Sequence, residues 1–483
     1  MSKKRMIIFT SVILSVVVIS LGIVKLYQTY AIGNYIDTAS SATFDVNITR
    51  DTSVRIPANG YSNVFYMVTN TSPGTVRYGV AYTTDSAVTV KTFSTSKDSA
   101  SGMIEENEKK YVKLRLENTS STVKNITLST VLGYENGGDL VVPSGVTLVT
   151  DTYTPPLAAA EYITKLYTDA SKTSATNNGI TYNYANIYDT DSDNNTSGGL
   201  MNDRLGGTTT DLDGGNIRYY GANPNNYVYF NCSDYSNQTS STCETWRIIG
   251  VFDGKLKLIR NESIGNLSWD YDKNDDSTKT TYDNDWSTAT LQKLLNGSYY
   301  NGSGIVTYYL GGSGPRTASL NMTSIGIKNE TTRNMIVETT YNLGGWNSSS
   351  VYPNQIYGYE RGTTVYTGRP PTWTGKIALA YPSDYGYAAD FSQCNQTLNK
   401  YNDSTCTSNN WMKAILGTSS LGWLLTPYSD GADRAWLMYL GGYVYAGTNN
   451  DFRVVPVLSL SSELEIESWS GDGSSSNPYK LSA

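Results

Sequence analysis

Four cysteines and two runs of aspartates are the residues of this 483-residue chain whose types and spacing could do chemistry. There is no histidine, which removes Ser-His-Asp and Cys-His catalysis, histidine-bound zinc and the helical HExxH site. Carboxylates are the route left open to an enzyme. The cysteines form two local pairs, Cys232 with Cys243 and Cys394 with Cys406, each closing a short polar loop. Neither pair has CxxC spacing, so zinc and thiol-exchange chemistry are set aside. Two disulfides in an oxidising compartment are expected, with free buried thiols as the alternative. Each bridge would contribute roughly 3 kcal/mol on the loop-entropy argument.

The first acidic run, Asp189, Asp191 and Asp193, begins like a calcium loop. It has Asn194 where that loop needs glycine and Leu200 where it needs a bidentate glutamate. The second run holds Asp270, Asp272, Asp275 and Asp276, among which the paired carboxylates of a glycoside hydrolase could hide. Both runs read first as solvated loops, and neither a metal nor a cofactor is expected.

Residues 423–460 carry a different chemistry. Three apolar anchors, at 423–425, 436–438 and 454–460, bracket Tyr428, Ser429, Asp430, Asp433, Arg434, Tyr439, Tyr443, Tyr445, Thr448, Asn449, Asn450 and Asp451. These are the residue types of a ligand-binding surface: tyrosine gives contact area at low rotamer cost, and small polar residues give adaptable hydrogen bonds. The alternative is an ordinary exposed hairpin in a chain with 40 tyrosines. Gly441-Gly442 is expected to make its tight turn, with Tyr439 and Tyr443 on either side.

The length predicts roughly two to four domains. Only 16% of residues are charged, the net charge is −7 and no basic patch is visible, so nucleic acid is not an expected partner. Lys3, Lys4 and Arg5 precede an unbroken apolar run, residues 6–24. As a helix it would span about 28 Å, close to the hydrocarbon core. Residues 1–30 are thus expected to be a cytoplasmic basic tip and a single transmembrane anchor at the cell membrane, with the bulk of the chain extracellular. A cleaved secretory signal ending near Ala31 is the alternative.

Residues 37–150 show period two. In residues 111–117, Val112, Leu114 and Leu116 face one way and the charges face the other, which predicts a half-buried strand. Residues 64–68 form a second strand, and both strands run into the same triplet, Asn70-Thr71-Ser72 and Asn118-Thr119-Ser120. The pattern predicts a β-sandwich. Residues 151–215 read as a linker, a helix over 157–170 and a long polar loop. Residues 216–483 hold a hairpin, 246–252 and 255–260, around Asp253-Gly254. A helix follows Asp285 and ends at Asn296-Gly297, a strand covers 376–381, and a helical turn covers 411–416.

The sandwich pattern resembles the small Ig-like modules of bacterial surface proteins. The ordered set WRIIGVFDGKLKLI from Trp246, NDWSTATLQKLLNGSYY from Asn284, WLLTPYSDGADRAW from Trp423 and DFRVVPVLSL from Asp451 resembles the C-type-lectin-like (formylglycine-generating-enzyme-like) domain of bacterial exported proteins. It is also similar to the variable proteins of diversity-generating retroelements, whose C-terminal end carries a variable binding face. The resemblance implies a multidomain chain: a transmembrane helix, an all-β Ig-like sandwich, and an α+β C-type-lectin-like domain. The closely spaced cysteine pair of formylglycine-generating enzymes is absent, as are the calcium-binding motifs of lectins, so neither activity is carried over. The expected function is a membrane-anchored adhesion protein that binds an extracellular protein or glycan. A cell-envelope glycan hydrolase and a purely structural envelope protein are the alternatives.

Overall fold

The computed structural model describes residues 30–32, 52–71, 74–94, 96–133, 140, 142–153, 157–187, 197–271, 282–312, 316–417, 421–466 and 471–482. The expected anchor lies outside them, as do Asp189, Asp191, Asp193, Asp272, Asp275 and Asp276. Among the described residues no helix is long and apolar enough to cross a membrane. The chain divides into two compact units between Pro155 and Pro156.

The first unit is a pair of sheets. One has the order Tyr30–Ile32, Gly60–Thr69, Lys109–Asn118, Val88–Phe93, Asp151–Tyr153; the other runs Thr52–Ile56, Lys124–Gly133, Val76–Thr83, Ser101–Ile104. Alternation decides which side chains meet between them. Val64, Val112, Leu114 and Leu116 pack against Val54, Ile56, Ile126 and Leu128, all fully or nearly fully buried. Each such side chain contributes roughly 1.5–3 kcal/mol by leaving water. The asparagine that opens each repeated triplet anchors the chain there. Asn118 Nδ2 donates to the carbonyls of Pro57 and Thr122, both at 2.8 Å, while its Oδ1 accepts from the Ser120 N–H at 2.9 Å. Asn70 Nδ2 donates to Gly74 O at 2.8 Å and Ile104 O at 3.1 Å.

The second unit is built on a ten-stranded sheet and a five-stranded sheet. The larger one runs Lys172–Asn177, Ile180–Ala185, Ser197–Asn202, Ile217–Asn223, Glu244–Phe252, Lys255–Arg260, Val457–Leu460, Ile336–Val337, with Tyr227–Phe230 and Ile377–Ala378 attached. The Asp253-Gly254 hairpin forms as expected. Both residues have positive φ, 49° and 71°, and Phe252 pairs with Lys255. Both disulfides form, and among the described residues no cysteine is free.

Three expectations need correction. Residues 151–215 contain the expected helix, but from Pro156 on they belong to the second unit instead of linking to it. The Ala159–Asp169 helix packs Ile163 and Tyr167 into the second unit's core, and the polar stretch supplies three strands of its sheet. The turn at Asn178-Gly179, with φ of 49° and 74°, closes the first hairpin of that stretch. The helix after Asp285 does not stop at Asn296-Gly297. Thr290–Leu294 continues into a wider turn, Leu295–Tyr299, because Asn296 pairs with a strand instead. Its Oδ1 accepts from the N–H groups of Lys376 and Ile377, and its Nδ2 donates to Ile377 O at 2.8 Å. The strand expected over 376–381 is shortened to Ile377–Ala378, because Pro382 starts a helix, Pro382–Tyr387, that Asp384 caps.

Candidate binding face

The smaller sheet runs Gly265–Ser268, Asp451–Val454, Gly422–Pro427, Arg434–Tyr439, Gly442–Gly447. Its last two strands form a hairpin whose turn is Leu440-Gly441, both with positive φ (51° and 91°), so the turn sits one residue earlier than expected. Glycine suits the φ at 441, and a Cβ there would stand 2.7 Å from Thr407 Cγ2, which would have to shift.

Register sets the face. Trp436 lies opposite Tyr445, and Met438 opposite Tyr443. Trp436 is fully buried and stacks on Tyr443, centroids 4.0 Å apart. Tyr445 meets the other side of that cluster edge-on at 5.3 Å, and Tyr428 leans on Trp436 at 5.4 Å and on Tyr445 at 4.4 Å. The exposed Arg434 places its guanidinium 5.4 Å from the Tyr445 ring, and Asp433 stands 3.8 Å from Arg434. Asp430 is exposed and Ser429 half-buried beside them. Partial burial, then the neighbouring Tyr445 hydroxyl, push the Tyr428 phenol above its usual pKa, so it stays a neutral hydroxyl. The group offers ring faces, hydroxyls, one cation and the Asp430 carboxylate on a rigid base, with Asp433 at its edge.

Seven of the twelve expected contact residues do not join this face as free groups. Tyr443 is fully buried with its ring stacked on Trp436, and a Cβ on the preceding Gly442 would meet Asn399 O of the Leu398–Lys400 turn at 3.4 Å, an ordinary contact. Thr448 is also fully buried, its N–H and hydroxyl both donating to Asp433 O. Asn449 and Asn450 shape the following turn, Asn449 O accepting from Ser268 Oγ and Asn450 Nδ2 donating to Gly447 O. Asp451 is taken up by Ser268 Oγ at 2.7 Å and by Arg316. Tyr439 is exposed, but strand alternation puts it on the side of the sheet opposite Trp436. Asp433, whose carbonyl holds Thr448, contributes its side chain only at the edge of the face.

Four residues that hold the face were missed. Asn284 is buried, and its Nδ2 lies 2.8–3.0 Å from the carbonyls of Tyr428, Gly431 and Arg434, clamping the loop between the strands. Arg369 donates to Asn284 Oδ1 and Ala432 O, both at 3.3 Å. Trp346 O accepts from the Trp436 indole at 3.1 Å and from the Ser429 N–H at 3.3 Å. The Trp346 ring, half-buried, stacks on Tyr359 at 3.8 Å and 7°. These partners are separated from the stretch by tens of residues or more, and no local pattern marks them.

The carboxyls that burial shifts most serve the fold. Burial pushes Asp270 up to about 6, yet its oxygens accept from the N–H groups of Thr290 and Asp283, each at 2.9 Å. Glu360 is pushed up to about 7 by burial and bonds Ser383 N and Oγ. A cleft of 470 Å³ elsewhere on this unit contains Asp213 and Asp253. Asp213 is held below its usual pKa, chiefly by the Tyr167 hydroxyl at 2.6 Å, which is the wrong direction for a general acid. Among the described residues no group of three or more His, Cys, Asp or Glu side chains could hold a metal ion.

Fold and face together define a mainly β protein with two disulfides, whose second unit presents an aromatic, hydrogen-bonding surface. No known protein family, curated protein or solved structure matches this chain.

Proposed function

We propose that the chain is an exported, membrane-anchored binding protein, with an Ig-like first unit as spacer and a C-type-lectin-like second unit that engages an extracellular protein or glycan. It binds without covalent chemistry on its ligand. The observation that carries this reading is the Tyr428–Tyr445 pair: both rings reach solvent while resting on buried Trp436, with Arg434 beside them. Rigid aromatic anchors flanked by arginine are what binding hot spots are made of. The two disulfides fit an oxidising, extracellular location. The hydrolase alternative asks for paired, acid-shifted carboxyls on a cleft, whereas Glu360 and Asp270 are enclosed and hydrogen-bonded.

The test compares the full chain with a variant carrying Tyr428→Ala, Arg434→Ala and Tyr445→Ala on arrays of glycans and of surface proteins. The parent is expected to bind a ligand that the variant loses by about tenfold or more, a change of at least about 1.4 kcal/mol. The thermal midpoint should stay in place. Equal binding by both proteins, or a collapsed midpoint in the variant, would remove this face from the proposal.

A further inference from the structure

Lys257, on the Lys255–Arg260 strand, and Asp384, on the Pro382–Tyr387 helix, meet in the core of the second unit. Their side chains are 8% and 1% exposed, and Lys257 Nζ lies 2.5 Å from Asp384 Oδ2. Arg218 Nη1 holds the other carboxyl oxygen at 2.9 Å, and the Tyr381 N–H donates to Oδ2 at 2.9 Å. The carboxyl is therefore fixed in one orientation with its carbon within reach of the amine. The Phe252 and Tyr381 rings flank the ammonium at 5.0 and 4.6 Å and keep water away. Glu360 braces the same turn through Ser383, next to Asp384 in the chain.

We propose that Lys257 and Asp384 condense into an intramolecular amide, a covalent cross-link between the central sheet and the helix. The step needs no reagent beyond the two side chains. The Lys257 proton passes along the 2.5 Å contact to Asp384 Oδ2. The Nζ lone pair then attacks Cγ. The Cγ–Oδ2 bond breaks and Oδ2 leaves as water, taking the transferred proton and one more from nitrogen. An ammonium and a carboxylate become one amide and one water, with no net change in charge.

The surroundings favour the reactive form of the amine, and the carboxyl takes its proton from that amine. Burial lowers the proton affinity of Lys257, and the guanidinia of Arg218 and Arg361 lower it further; this outweighs the pull of Asp384. Burial acts on Asp384 in the opposite direction, but Lys257 and Arg218 hold it below its usual value, so the resting pair is ionic. Arg218 remains on Oδ1, where the negative charge of the tetrahedral intermediate develops. A fixed donor at that oxygen in a dry site is the arrangement that stabilises such an intermediate.

Intact-mass measurement of the denatured full chain is the test. The expected mass is that of the disulfide-bonded sequence less one water, and a tryptic digest should contain a branched peptide joining Lys257 to Asp384. Lys257→Arg keeps a cation beside Asp384 and cannot make this amide, so it should return the full mass. Three results would overturn the proposal: a parent at full mass, a lost water that persists in Lys257→Arg, or a lost water that maps to a succinimide such as one at Asp253-Gly254.

Discussion

Exposed rings on the sandwich lie under cations, whereas the exposed Tyr445 of the second unit rests on two other rings with one arginine beside it. On the sandwich, the Arg115 guanidinium lies 3.6 Å from the Tyr61 ring and 4.3 Å from Tyr153, and Lys113 lies 5.8 Å from Phe65. Glu117 then accepts from Arg115 at 2.7 Å and Lys91 at 2.9 Å. Each of these groups already has its partner, so the face is a solvated sheet surface with its polar groups matched to one another. On the second unit Tyr428 leans on Trp436 and Tyr445 meets it edge-on, while Arg434 has the Tyr445 ring at 5.4 Å and a carboxylate at 3.8 Å. Equal counts of surface aromatics would hide this difference. What separates the two faces is how fully their hydrogen-bonding and charged groups are matched within the fold.

The interiors differ in the same sense. Among the described residues of the first unit, no Lys, Arg, Asp or Glu is buried, whereas the second buries Arg218, Lys257, Asp203, Asp384 and Glu360. The largest effect expected from separating the two designs is that of Trp436→Ala. Removing a fully buried tryptophan should cost about 3–5 kcal/mol. Calorimetry should show the second unit's transition falling steeply while the first unit's stays in place. A common shift of both transitions would mean the units do not unfold separately, and the comparison between them would fail.

Acidity offers the next largest contrast, because the carboxyls with raised pKa, Glu360 and Asp270, lie in the second unit. Glu360 has an ordinary pKa of 4.5 and is pushed up to about 7 by burial; Asp270, ordinarily 3.8, is pushed up to about 6. Groups with raised pKa bind more protons folded than unfolded, so their contribution is fullest below the ordinary values and is lost as pH rises through 6 and 7. A tenfold change in proton affinity corresponds to about 1.4 kcal/mol, so Glu360 alone weighs about 3 kcal/mol. On the sandwich, Asp85 and Glu108 are held below their usual values, chiefly by hydrogen bonds from Lys124 and Lys110. Their contribution is present above the ordinary values and is lost as pH falls. Between pH 5 and pH 8 the second unit's midpoint should therefore drop while the first unit's stays level, and Glu360→Gln should flatten the drop. A flat profile for the parent second unit would contradict the buried-charge half of the comparison.

What the sequence made legible was local. The alternation of Val112, Leu114 and Leu116, the Asp253-Gly254 turn and the two cysteine loops each rest on a few adjacent residues, and each forms as expected. Asn178-Gly179 was an equally local turn signal, overlooked because its neighbours are so polar that they read as a loop; they make a polar strand pair instead. The site was legible as a stretch and not residue by residue. Tyr443 and Tyr445 have the same type and the same face, yet one lies flat on Trp436 and is fully buried while the other meets it edge-on and is 43% exposed. Asp451 was chosen for its type, but its partners Ser268 and Arg316 stand 183 and 135 residues away, where no spacing rule reaches.

The smallest predicted effects test the surface half of the comparison, where one arginine on each unit carries the contrast. Arg115→Ala removes two ring contacts and an ion pair, all partly solvated. Exposed cation–π contacts are worth about 0.5–1 kcal/mol each at most, and exposed ion pairs less. The first unit's midpoint should fall slightly and ligand binding should not change. Arg434→Ala removes a half-exposed side chain whose partners hold it loosely, so stability should stay within about 0.5 kcal/mol. Its effect should appear in binding instead, as a faster dissociation of whatever ligand the arrays identify. If Arg434→Ala instead costs stability and leaves binding intact, its neighbours hold Arg434 as firmly as the sandwich holds Arg115. The second unit's face would then be a matched surface of the same kind as the sandwich's.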